Sequence, residues 1–160
     1  MKQLSSAGFA LYAKMFNSVP SHNPTLLYEA FTNGIDRDDL CRLLMDAWVY
    51  SDWPEDVLDS HGWLAMFRSA GFFSLPHEFA PPTKELTLFR AATKERSRRM
   101  SWTDNENLAK ELGKRHSNYG DVVLFQTIVK PELILAYLGR NDEGWTVVVD
   151  PTGLVIEEVA

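Results

Sequence analysis

DVVLFQTIVKPELILAYLGRNDEGWTVVVDPTGLVIEEV, residues 121–159, is the stretch whose reading decides the fold class. Its apolar and β-branched residues fall into short runs, Asp121 to Val129, Ile134 to Leu138, Trp145 to Val149 and Leu154 to Val159. Runs of this length and composition fit strands. Between the last three lie Asn141-Asp142-Glu143-Gly144 and Asp150-Pro151-Thr152-Gly153, which have the chemistry of turns. Upstream, Leu86 to Arg90 adds a further short strand. One helix interrupts this half. Thr103 and Glu106 form a capping box, Leu108, Ala109 and Leu112 face inward, and Lys110, Lys114 and Arg115 sit near the negative end.

Before Pro81-Pro82 the period is helical. Leu40, Leu43, Leu44, Ala47 and Trp48 make one stripe behind an Asp36 cap, with Ile35 and Leu40 placed to close a hydrophobic staple. Trp63, Met66, Phe67 and Ala70 form a shorter stripe that Gly71 ends. Asn23 followed by Pro24 reads as a cap and a first-turn proline, leading Leu27, Ala30 and Phe31 up to Gly34. Leu4 to Phe16 reads as helix too, with Phe9, Tyr12, Met15 and Phe16 as its apolar set. A helical block followed by a mainly antiparallel strand block is α+β and not doubly wound. The expectation is one domain, 1–160, with a helical sub-region 1–80 packed on a strand-rich sub-region 85–160.

At 160 residues, 45% hydrophobic and 24% charged, the chain can build a core without disulfides, and its lone Cys41 suits a reducing, cytoplasmic setting. Cys41 reads as a packing residue on the polar flank of its helix, with nothing beside it to activate a thiolate. Met1-Lys2 opens no apolar leader, and no run approaches the ~20 apolar residues of a membrane helix. A net charge of −6 argues against general nucleic-acid binding through bulk electrostatics, though a local basic patch would override it. His22, His61, His77 and His116 are scattered without zinc spacing. Glycine-rich phosphate loops and a serine nucleophile elbow are absent from the sequence.

What remains is an ordered series: Leu86-Thr87-Leu88-Phe89-Arg90-Ala91-Ala92, then Met100-Ser101-Trp102-Thr103, then Asn141 through Val149 with Thr146 inside the aliphatic run. Over about residues 85–152 this series resembles the ADP-ribosyltransferase superfamily of the arginine–serine–glutamate type. The resemblance implies an ADP-ribosyltransferase-like sheet, NAD as substrate and transfer of ADP-ribose to a macromolecular target such as a protein. It assigns Arg90 to the ribose and phosphates of NAD, a task that suits a planar fork of donors. Ser101 and Thr103 would shape the nicotinamide-ribose pocket, and in an extended segment they share a face while Trp102 points into the core.

The glutamate of the family precedes its aliphatic strand and stabilises the oxocarbenium-like centre as nicotinamide leaves. Thr146 stands at that position here. Glu143 is the nearest carboxylate and the candidate catalytic residue, but its strand parity is opposite, and a bulge at Gly144 would have to restore its direction. The other reading is an inactive interaction protein of the phage or mobile-element accessory type that keeps the fold, an analogy of size and charge. Each residue also has an ordinary role: Arg90 as a strand-end charge, Thr103 as a helix cap, Ser101 as a loop hydroxyl. The run Lys94-Glu95-Arg96-Ser97-Arg98-Arg99 reads either as a solvated loop or as a phosphate or target-docking patch. Of the five tryptophans, Trp48 and Trp63 belong on apolar helical stripes and hence in the core.

Overall fold

A computed structural model describes residues 3–139 and 145–159, and it divides the chain into two compact units, Met1–Leu75 and Pro76–Ala160. Helices fill the first unit and antiparallel strands dominate the second, as an α+β chain requires.

In the first unit, α1 (Ser6–Phe16), α2 (Asn23–Thr32), α3 (Arg37–Val49), the short α4 (Pro54–Val57) and α5 (Ser60–Ala70) precede strand β1 (Phe73–Leu75). The stripe read on α3 is buried throughout, and so is that of α5. Their aromatic residues interlock. Trp48 meets Trp63 edge-on at 4.9 Å and Phe67 at 5.5 Å, and Phe67 stacks on Phe73 at 6.0 Å. Such geometry adds to area burial. Trp63 keeps its indole N–H satisfied by donating to the Pro54 carbonyl at 2.9 Å. Asp36 caps α3 through the Asp38 amide, and Gly71 ends α5 at φ 68°, where a side chain would be strained.

Three readings of this half need correction. Phe9, Tyr12 and Phe16 are 55%, 39% and 76% exposed, so of the expected apolar set of α1 Met15 alone is buried. Gly8 supplies a second contact: a Cβ there would lie 2.6 Å from Cγ of Asp39, whose buried carboxylate accepts from the amide and hydroxyl of Ser5. A polar anchor with close backbone approach has replaced most of the expected apolar face. Cys41 is buried and not on a polar flank, and burial pushes its thiol up, as a packing role requires. Asn23 is not a cap, because a 3-10 turn, Pro20–His22, runs straight into α2.

The second unit holds β2 (Leu86–Ala92), β3 (Ser101–Trp102), α6 (Glu106–Gly113), β4 (Val123–Val129), β5 (Ile134–Gly139), β6 (Trp145–Val149) and β7 (Glu157–Glu158). β4 is central to one sheet, pairing β2 along seven residues and β7 along two. β6 is flanked by β5 and β3 in the other, with Ser101 opposite Val148 and Trp102 opposite Val147. All these pairings are antiparallel. The expected strand Leu154 to Val159 shrinks to β7, and Gly153 turns the chain ahead of it with φ 74°. Leu88, Met100, Trp102, Val129, Leu138 and Val148 form the core of this unit. Trp145 lies edge-on to Phe79 at 5.0 Å.

α6 packs on β2 at close range because Gly113 faces Ala91, where a Cβ would sit 2.4 Å from that of Ala91 and 2.9 Å from its carbonyl oxygen. Gly113→Ala is therefore expected to lower the urea midpoint. Overpacking costs typically ~1–3 kcal/mol and outweighs the ~1 kcal/mol that alanine gains as a helix former. A raised midpoint would show that α6 can back away from β2.

Candidate functional site

Arg90 lies near the end of β2, and its guanidinium folds back over the connection to β3. Nε donates to the Arg96 carbonyl at 3.0 Å and Nη1 to the Ser101 carbonyl at 2.9 Å. One residue earlier, Phe89 and Thr103 exchange a pair of backbone hydrogen bonds, 2.7 and 3.0 Å long, that join the two sheets. The sequence order thus becomes proximity: Arg90, Ser101 and Thr103 line one cleft with Arg115 and His116.

Thr103 does not cap α6, contrary to its reading as the first residue of a capping box. Asn105 does so, its side chain accepting from the Leu108 amide at 3.0 Å. The bridge to Phe89 commits the Thr103 backbone to extended pairing two residues earlier, and its hydroxyl accepts from the Asn105 amide at 3.2 Å. Only 2% of Thr103 is exposed. Trp102 points into the core as expected and donates to the Arg99 carbonyl at 2.8 Å.

The cleft has a volume of ≈ 30 Å³. That is room for a water or two, whereas pockets for small molecules start near ~300 Å³. A dinucleotide does not fit the cleft in this arrangement, although the side-chain types suit one. Thr146, two residues before Val148 on β6, shares its face of the strand and hence the face of Ser101. A threonine occupies that position next to the hydroxyl-bearing strand. Glu143 lies outside the described residues.

Arg115 and His116 were not picked out as site residues from the sequence. The signal was present: His116 continues the face of Ala109 and Gly113, all three buried, one helical step further on. Burial is the main reason that the His116 imidazole is pushed down to about 4, and the charges of Arg90, Arg115, Arg96 and Arg99 add to it. The imidazole is neutral at pH 7, and the cleft is a place where an additional cation is disfavoured.

The second unit is rich in arginine around this point. Arg96 lies over the Tyr119 ring at 4.7 Å, and Arg98 donates to the Pro151 and Leu154 carbonyls at 2.9 and 3.0 Å. No group of three or more potential metal ligands occurs among the described residues. No helix among them is long and apolar enough to cross a membrane. Compared with protein-family models, curated proteins and solved structures, the chain finds no match.

His116 makes stability depend on pH. The unfolded chain takes up this proton near the ordinary 6.5 and the folded chain only near 4. Between those values the unfolded state binds more protons, so stability falls as pH drops through that window, by about 3 kcal/mol at its foot. Urea midpoints measured from pH 7 to 4 should fall less steeply for His116→Gln than for the wild type. Parallel curves would mean that the folded imidazole protonates at its ordinary value.

Proposed function

We propose that the second unit is an ADP-ribosyltransferase-like module whose dinucleotide-binding site is the cleft between β2, β3 and α6. The observation that carries this reading is the convergence of Arg90 with the segment bearing Ser101 and Thr103, the guanidinium lying 2.9 Å from the Ser101 carbonyl. Pairing of β3 with β6 supports it, because it sets the late aliphatic strand beside the hydroxyl-bearing one. The guanidinium-rich surroundings favour an anionic ligand. Arg90 would anchor the phosphates, and Ser101 and Thr103 would bound the ribose.

Binding requires the cleft to widen well beyond ≈ 30 Å³, which makes affinity modest, since the free energy of opening offsets part of the binding energy. Turnover is weaker still under this reading. A preorganised electrostatic group is typically worth ~3 kcal/mol, or about a hundredfold in rate, and Thr146 cannot supply a carboxylate. Glu143 is the residue proposed to do so, with NAD as substrate and a protein as acceptor.

A second reading, an inactive interaction protein that keeps the fold, is favoured by the narrowness of the cleft together with Thr146. In that case Arg90 serves only as a clamp on the Arg96 and Ser101 carbonyls.

Thermal unfolding with rising NAD separates the two. A ligand at a hundred times its dissociation constant adds ~2.7 kcal/mol. The expected result is a rise in Tm for the wild type that is smaller in Ser101→Ala and absent in Arg90→Ala, each compared with itself without NAD. No rise at millimolar NAD in any of them removes the dinucleotide site and leaves the clamp. Where NAD does bind, nicotinamide release that is equal in wild type and Glu143→Gln removes Glu143 from the chemistry.

A further inference from the structure

β4 is paired along its whole length by β2 on one side, but along only two residues by β7 on the other. Strand parity says which groups this leaves open. Phe89 spends its backbone bonds on Thr103, so Leu88 and Arg90 are the β2 residues that bond to β4, through Thr127 and Phe125. Leu124, Gln126 and Ile128 therefore direct their N–H and C=O groups the other way, towards β7. The bond from the Val159 amide to the Leu124 carbonyl at 2.8 Å agrees with this, and Gln126 lies opposite Glu157. Ile128 has no such partner. β7 begins only at Glu157, and the Val155 carbonyl is taken by the Thr127 hydroxyl at 2.8 Å. Among the described residues, no hydrogen bond reaches the N–H or C=O of Ile128.

The gap between the end of β4 and the 153–157 segment is a groove of ≈ 460 Å³. Sites for small ligands and short segments hold roughly 300–1,000 Å³. Leu133 and Leu154 line it, and Ile128 and Val155 add apolar surface that is 62% and 74% exposed. Its charged groups are Glu85, Lys130 and Glu157. Glu85 and Lys130 stand one step beyond Leu86 and Val129, the last pair of the β2–β4 ladder, and Glu157 lies opposite Gln126 on the face of Ile128. None of these three side chains has an ion pair or hydrogen bond among the described residues. Two carboxylates against one ammonium leave the groove negative.

We propose that this groove binds an extended peptide segment of a partner protein, which adds a strand to β4 and carries basic residues two positions before and after an aliphatic one. An unpaired strand edge is a template for such pairing. The main chain of the segment would exchange hydrogen bonds with Ile128. Its aliphatic side chain would pack on Ile128, and the basic side chains, on the same face, would lie beside Glu157 and Glu85. Main-chain bonds then supply affinity and alternate side chains supply specificity. The net charge of −6 favours the approach of a basic partner. The inference goes beyond dinucleotide binding and does not rest on it, because the groove shares no residue with the cleft at Arg90.

The test is fluorescence anisotropy of a labelled, capped heptapeptide, Thr-Lys-Thr-Val-Thr-Lys-Thr, titrated with the full chain. Saturable binding is expected, weakened about two- to fivefold by Glu85→Gln or by Glu157→Gln, the scale of an exposed ion pair. Reversing both charges, Glu85→Lys with Glu157→Lys, should abolish it and transfer preference to the heptapeptide with Glu in place of Lys. Methylating the Val amide of the peptide should remove binding to the wild type. Methylating the amides of the two Thr residues beside it, which would face solvent, should leave binding in place. These peptide arms need no protein variant to fold, and thermal melts establish that the Glu variants do.

Absence of saturable binding up to millimolar peptide overturns the proposal. So does equal binding of the peptide methylated at Val, or of one with Ser in place of Val, which reduces the contact to a general attraction of lysines to an acidic chain. Self-association that Ile128→Lys abolishes, without peptide binding, makes the occupant a second copy of the chain and overturns it too. None of these outcomes depends on NAD, whose binding is read separately through Arg90 and Ser101.

Discussion

Two backbone hydrogen bonds between Phe89 and Thr103, 2.7 and 3.0 Å long, with the Arg90 guanidinium beside them, hold the second unit in its observed form. The bridge is where β2 of one sheet meets the segment that continues β3 of the other. It fixes one end of the connection from Thr93 to Met100. With it, the Met100 carbonyl accepts from the Val149 amide at 2.9 Å and Ser101 falls opposite Val148. The guanidinium closes the same connection from above by donating to the Arg96 and Ser101 carbonyls, and hydrogen bonds with one charged partner are worth ~1.5–3 kcal/mol each. A charge at a strand end has become a structural clamp.

That clamp has an electrical consequence. Its charge and those of Arg96, Arg99 and Arg115 act on one buried imidazole, that of His116. A field of this sign disfavours a further cation in the cleft and favours an anion there. Thr146 on the face of β6 that pairs with Ser101 points the same way. Under the proposed reading, a catalytic role would have to draw its carboxylate from outside the residues that line the cleft.

Elements whose stripe is both long and apolar were legible in the sequence. α3 and α5 combine a side-chain cap or a glycine stop with a repeating buried face, and local and global preferences agree there. β2, β4, β5 and β6 were legible for the same reason, since β-branched runs and turn residues alternate, whereas the run 154–159 was read as longer than the two residues that pair. Errors came where a tertiary contact overruled a local signal. The motif Thr103-x-x-Glu106 is a sound capping box on paper, but Thr103 was claimed by Phe89 and the cap moved to Asn105. α1 shows aromatic residues at helical spacing, yet its anchor is Gly8 and Ser5 against Asp39, a polar contact without periodicity. At the site, the meeting of Arg90 and Ser101 followed from strand order. Arg115 and His116 did not, because their place depends on how closely α6 lies on β2.

That closeness also fixes how the cleft can open. Gly113 and Ala91 meet with no room for another carbon, so the approach of α6 to β2 is set by backbone and methyl groups and not by side chains that could swing aside. The remaining wall is the 93–100 connection, and it is tied down at several points. Its carbonyls accept from Arg90 and from the Trp102 indole, and Arg98 reaches out from it to the Pro151 and Leu154 carbonyls. Moving that wall as a body breaks several of these bonds at once, whereas rotating the Arg90 head group alone breaks its bonds to the Arg96 and Ser101 carbonyls. An anion that offers the guanidinium better acceptors than neutral carbonyls would release the clamp by the same contact that binds it.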